Sequence, residues 1–127
     1  MKHFICRGCG NLVATVNYTG KKISCCEENM QELTPNVSEA SAKKHTPRIE
    51  IDGKKVTVFV GEGENAHPML DEHSVLWVSL VTTEGNQRKV LKPSLEPKAV
   101  FYIGENEKVI NAFAFCNLHG LWVSKSE

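Results

Sequence analysis

The sequence carries no net charge: 15 Lys and Arg balance 15 Asp and Glu. No global field draws such a chain to nucleic acid or an anionic membrane, so any attraction for an anion must be local. No apolar run comes near the roughly 18 residues of a spanning helix. The start, Met1 to Cys6, has neither an apolar leader core nor a small-residue cleavage site. These absences predict a cytoplasmic protein with no membrane or nucleic-acid partner. In a reducing compartment, clustered cysteines turn toward metal or redox chemistry rather than disulfides. Helical periodicity longer than two turns is also missing, as are internal repeats and low-complexity tracts, so nothing supports a helical bundle or a solenoid.

What is present is a soluble, globular balance, 41% hydrophobic and 24% charged. A chain of 127 residues suffices for one domain, or for a very small module plus a domain of about 90 residues. Residues 1–35 carry four of the five cysteines, few large apolar residues and several turn formers: Gly8, Gly10, Asn17, Gly20 and Asn29. So short a segment cannot bury enough apolar surface to hold itself together without a metal or disulfides. Residues 36–46 read as a connector with one helical turn, leading into a second domain over 36–127. From Pro47 the pattern is β. Pro47–Ile51 and Lys55–Val60 flank the turn signal Asp52-Gly53. Val75–Thr82, Arg88–Leu91, Ala99–Ile103, Val109–Phe115 and Leu121–Ser124 follow, separated by Gly, Pro and Asn. About seven such strands at this spacing predict an antiparallel β-sandwich.

Cys6-Arg7-Gly8-Cys9-Gly10 forms a C-x2-C-G knuckle. Its spacing lets two thiolates face one metal, and glycine lets backbone N–H groups turn toward sulfur. Cys25 and Cys26 follow after a further loop. Four thiolates suit a tetrahedral Zn or Fe site. The adjacent pair is unusual. Neighbouring side chains of an extended segment point apart, so both reach one ion only through a tight bend. The spacing leaves structural zinc and redox iron equally open; a pair of disulfides is a third option that the compartment opposes.

A second constellation lies in the β region. His45 precedes Thr46-Pro47. His67 stands before Pro68, which pushes its backbone to extended geometry. His73 lies just ahead of the strand with Trp77, and Cys116-Asn117-Leu118-His119 gives C-x2-H at the end of the last long strand. Any one of these histidines alone reads as a surface or hydrogen-bonded residue. Jointly they suggest four neutral imidazoles and one thiolate around one metal. Imidazole suits Fe, Zn and Cu alike, whereas zinc prefers four ligands in a tetrahedron. Five ligands leave one octahedral position vacant, which suits iron that binds a small oxygen species. His3 falls outside the set and reads as a plain surface residue.

These residues resemble the desulfoferrodoxin family of superoxide reductases over almost the whole chain. Cys6-x2-Cys9-Gly10 with Cys25-Cys26 looks like the family's desulforedoxin-like, rubredoxin-like iron module. Lys43-Lys44-His45-x-Pro47, Ala66-His67-Pro68-Met69, Glu72-His73-x3-Trp77, Leu91-Lys92-Pro93 and Cys116-Asn117-x-His119-Gly120 resemble the catalytic domain in order and spacing. The resemblance implies an all-β protein whose second domain is an immunoglobulin-like sandwich. It implies two irons per chain, with zinc a possible substitute. One would sit in the tetrathiolate site and one among His45, His67, His73 and His119 as equatorial ligands with Cys116 axial. The implied enzyme is a homodimer that reduces superoxide to hydrogen peroxide, drawing electrons from rubredoxin. Lys44 matches the family's lysine that attracts superoxide and orients water near the metal. Many members carry glutamate just before that lysine, where this chain has Lys43. The oxidised iron would then take water, hydroxide or another carboxylate such as Glu39. Two other readings fit the residues without the resemblance: a zinc-ribbon-like head on a binding module, and an electron carrier with no open metal position.

Overall fold

Val56, Val58 and Val60 alternate with Lys55, Thr57 and Phe59, the period-two pattern of a strand with one buried face. In the computed structural model, which describes residues 1–36, 42–61 and 63–124 (42 and 43 by backbone only), all three valines are buried. The chain divides into two units, Met1–Thr34 and Pro35–Glu127.

In the first unit, β1 (His3–Ile5) is the central strand between β2 (Leu12–Ala14) and β5 (Gln31–Glu32), all antiparallel. β3 (Ser24–Cys25) and β4 (Glu28–Asn29) form a separate hairpin. The sequence reading assigned no strands here, because two- and three-residue strands leave no periodicity to detect. The core is correspondingly small: Phe4, Cys6 and Met30, with Tyr18, Ile23 and Cys25 packed against them. Phe4 and Tyr18 stack at a tilt, with ring centroids 5.1 Å apart. The expectation that His3 is a surface residue is wrong. It is buried, because it belongs to the central strand: its backbone pairs with Ala14, and its carbonyl accepts the Leu33 N–H at 2.8 Å.

In the second unit, one helical turn, α1 (Ala42–His45), precedes seven strands among the described residues: β6 (Pro47–Asp52), β7 (Lys55–Val60), β8 (Val75–Thr82), β9 (Gly85–Val90), β10 (Lys98–Tyr102), β11 (Val109–Cys116) and β12 (Gly120–Val123). They form two antiparallel sheets, ordered β10-β7-β6 and β12-β11-β8-β9. The chain changes sheet between β7 and β8, returns at β10, and leaves again at β11. Such crossing between sheets is the arrangement of an immunoglobulin-like sandwich. Val56, Val58, Val60, Ala99 and Phe101 from one sheet and Val78, Leu80, Ala112 and Ala114 from the other make one buried cluster. Among the described residues no helix is long and apolar enough to cross a membrane.

Gly61 carries the chain from β7 into the loop that ends at His67. Its φ is +72°, and a Cβ there would sit 2.0 Å from the Asn65 carbonyl oxygen. Both the left-handed backbone and this contact with main chain exclude a side chain. Gly61→Ala is therefore expected to destabilise the protein by about 2–4 kcal/mol, read as a lower denaturation midpoint against wild type.

Candidate metal centres

The first centre is built by two tight turns. In the C-x2-C-G knuckle the Gly10 N–H donates to the Cys6 carbonyl at 2.8 Å, with φ of Gly10 at +86°. In the β3–β4 hairpin Cys25 pairs with Glu28, so Cys26 and Glu27 alone form the turn. Both have positive φ, 53° and 62°. Two consecutive left-handed residues are the signature of the turn that matches strand twist. This is the tight bend that adjacent cysteines need, and it brings the sulfurs of Cys6, Cys9, Cys25 and Cys26 within 4.8 Å of one another. Gly8 leaves room for them: a Cβ there would lie 3.3 Å from the Cys26 Cβ and 3.6 Å from the Cys6 sulfur.

All five cysteines of the chain are free thiols, with the Cys9 and Cys25 sulfurs 3.6 Å apart, so the disulfide option is not the one adopted. The backbone N–H of Cys9, then that of Gly8, hold the Cys6 thiol down at about 7. The Cys9 sulfur, then those of Cys6 and Cys25, push Cys26 up to about 12. Cys25 is raised too, first by Cys9. Sulfurs this close resist ionising together unless a cation sits among them. The donor set fits a tetrahedral thiophilic ion.

The second centre gathers side chains from four places in the sandwich. His45 ends α1. His67 is held where its N–H donates to the Val60 carbonyl at 3.0 Å. His73 closes a loop in which Leu70 and His73 exchange backbone bonds of 2.9 and 3.2 Å. Cys116 is the last residue of β11, and His119 sits in the turn to β12, closed by the Cys116–Gly120 pair. Ligand atoms of His45, His73, Cys116 and His119 lie within 4.8 Å of one another. His67 joins them through its ring. Centroid separations run 4.7 Å from His45 to His67, 4.9 Å from His67 to His73, 5.1 Å from His73 to His119 and 4.7 Å from His119 back to His45. Each pair meets edge to face, so the four rings close a cycle. The Cys116 sulfur lies 3.8 Å from His119 Nδ1, which is itself 3.0 Å from His45 Nε2.

Whether this cluster suits a metal can be judged from its protons. His67 Nδ1 donates to the Pro68 carbonyl at 2.7 Å, which fixes the tautomer and leaves the lone pair on Nε2. That Nε2, and the Nε2 of His73, are buried without a hydrogen-bond partner. Buried polar atoms are ordinarily paired, and one left alone costs free energy. Burial first, and the neighbouring imidazoles of His45, His73 and His119 as well, push His67 down to about 4. The ring is therefore neutral near pH 7, as a ligand must be. Orphaned nitrogens, a neutral ring and a buried thiol fit a cation among them.

The surrounding residues were not all found by sequence reasoning. Trp122 stacks on His45 at 4.7 Å and 18°, and its indole N–H donates to the His119 carbonyl at 3.1 Å. Asn36 donates to the same carbonyl at 3.2 Å. Neither carried a spacing signal. Lys44 is exposed and directly precedes His45. Glu39 and the Lys43 side chain lie outside the described residues.

The two left-handed residues of the first centre give a direct test. A non-glycine residue in that region costs roughly 1–2 kcal/mol. Glu27→Gly should relieve much of this at a position whose side chain is exposed. Its denaturation midpoint is expected to rise, with all five thiols of the chain still titratable in the denatured, metal-free form.

The matches to known proteins follow this geometry. A family model described as Desulfoferrodoxin matches residues 37–125. A desulfoferrodoxin homolog of Archaeoglobus fulgidus is 37% identical, over 98% of this chain and 96% of its own. The superoxide reductase of Treponema pallidum superposes with a TM-score of 0.79 at 31% identity, covering 98% of this chain and 96% of that one. A superoxide reductase of Giardia intestinalis designated 1Fe-SOR superposes with a TM-score of 0.54 at 31% identity, covering 67% of this chain and 98% of that one. With the family model spanning well over half its length and a relative matched nearly end to end, this chain belongs to the desulfoferrodoxin family.

Proposed function

We propose that the chain is a superoxide reductase, an oxidoreductase that adds one electron and two protons to superoxide and releases hydrogen peroxide. One observation carries the reading: four imidazoles in a closed cycle beside a buried cysteine sulfur, two of their nitrogens buried and unpartnered. In this proposal His45, His67, His73, His119 and Cys116 would together hold a ferrous ion. Ferrous iron held there would supply one-electron reducing chemistry.

The chain's residues set the conditions for that transfer. Cys116 is 2% exposed, so a thiolate held there is shielded from water and directs its charge toward the metal. The Pro68 carbonyl keeps His67 in the Nε2-donor tautomer. Trp122 covers one face of His45 and excludes solvent from it. Among the described residues the clustered groups are imidazole and thiol, so at least one proton comes from water. Exposed Lys44 adds local positive charge beside His45 in a protein with no net charge, which raises the encounter rate with a small anion.

Cys6, Cys9, Cys25 and Cys26 would hold a second iron, which zinc could replace. Its role is auxiliary: it staples a unit whose apolar core is small. The relative designated 1Fe-SOR covers only 67% of this chain, which supports an activity resident in the sandwich. We assign rubredoxin or a similar small protein as electron donor, a homodimer as the assembly and the cytoplasm as the compartment.

Two variants test these roles. Lys44→Ala is expected to lower the second-order rate of superoxide consumption several-fold and flatten its dependence on ionic strength. An unchanged rate and salt profile in stopped-flow decay would remove the steering role. Cys9→Ser should lose the tetrathiolate absorption yet retain most superoxide reduction; a folded but inactive variant would show that the first centre takes part in turnover.

A further inference from the structure

Asn117 follows Cys116 in the β11–β12 turn, yet its side chain works on another loop. Its Oδ1 accepts the Ser74 N–H at 3.0 Å, and its Nδ2 donates to the Glu72 carbonyl at 3.0 Å. Its backbone N–H donates to the Ser74 carbonyl at 3.2 Å. The backbone bond holds the peptide between Ser74 and Val75, and the two side-chain bonds grip the peptide groups on either side of His73. The same peptide groups set the direction of the His73 Cα–Cβ bond, and so the place where its ring can stand. On the far side the loop is already closed by the exchange between Leu70 and His73. His73 Nε2 has no partner of its own to hold the ring in place.

We infer that Asn117 is a positioning residue that fixes the His73 imidazole relative to the Cys116 sulfur. The inference rests on the five-ligand metal reading above. The chemistry selects asparagine. The clamp needs one donor and one acceptor on a short planar group, because it faces a carbonyl on one side and an N–H on the other. Aspartate matches the shape and keeps the bond from Ser74, but sets a carboxylate against the Glu72 carbonyl. Alanine loses both side-chain bonds while keeping the backbone one. Through this clamp one residue ties a ligand of β11 to a ligand of the loop before β8. Partners behind the ligands typically change metal affinity by about 10- to 100-fold when removed.

The test uses the full-length protein titrated anaerobically with ferrous iron, comparing wild type, Asn117→Ala, Asn117→Asp and Cys116→Ser. Asn117→Ala is expected to weaken iron binding at the histidine–cysteine centre by about 10- to 100-fold. It should also shift the thiolate-to-metal absorption of that centre after oxidation, with the tetrathiolate absorption and circular dichroism unchanged. A general loss of stability would not move that band in protein that still binds iron. Asn117→Asp is expected between wild type and alanine, since it keeps the Ser74 contact. Wild-type affinity and band position in Asn117→Ala overturn the clamp; should that variant not fold, wild-type values in Asn117→Asp, which lacks the Glu72 bond, overturn it. Wild-type iron binding in Cys116→Ser overturns the metal-centre reading and the clamp with it. Weakened binding in Cys116→Ser beside wild-type behaviour of Asn117→Ala overturns the clamp alone.

Discussion

Donor atoms with lone pairs aimed at a common point repel one another, and two groups of them here lie within 4.8 Å. In the first group this shows as the Cys25 and Cys26 thiols pushed up, first by the neighbouring Cys9 sulfur. In the second it shows as imidazole nitrogens buried without a hydrogen-bond partner. Neither arrangement is comfortable in a protein that holds nothing there. A cation reverses the sign of the interaction and turns each clash into a bond, so metal affinity and folding become one free energy. The fold can be read as the apparatus that keeps those atoms together against their mutual repulsion.

Each centre meets that demand differently. The first relies on local geometry: two turns with left-handed residues and a glycine where a side chain would crowd the sulfurs. Little core is available behind it. The second relies on a well-packed sandwich, with valines of β7 meeting Val78, Leu80 and the alanines of β11. Loops carry three of the donors, the end of α1 a fourth and the end of β11 the fifth, and rigid strands fix where those loops begin and end. Stacking by Trp122 and the carbonyl of Pro68 then settle individual rings. A centre whose ligands come from separate loops needs such support, since a small displacement of one ring changes every ligand-to-metal bond.

Much of this was legible in the sequence, and for identifiable reasons. Seven strands were found because alternation in β7 and the apolar run of β8 are long enough to show a period. Strand ends moved by one to three residues, as at β9, where pairing starts at Gly85 rather than Arg88. Cysteine and histidine stood out because few roles suit them when clustered. The short strands of the first unit and the burial of His3 escaped, since pairing partners far apart in sequence decide them. Trp122 and Asn117 escaped for a related reason. An aromatic residue or an amide has many ordinary uses, and only the fold shows which ring or loop it touches.

The His45–His119 contact has a consequence for how the protein is made. These residues are 74 positions apart, one before the first strand of the sandwich and the other in its last turn. On a growing or partly folded chain only Cys116 and His119 are near neighbours, and two ligands chelate a metal weakly. An ion held by all the donors would reach full affinity only once both sheets have closed, which couples its capture to assembly of the unit. Such an ion would join the beginning of the unit to its end.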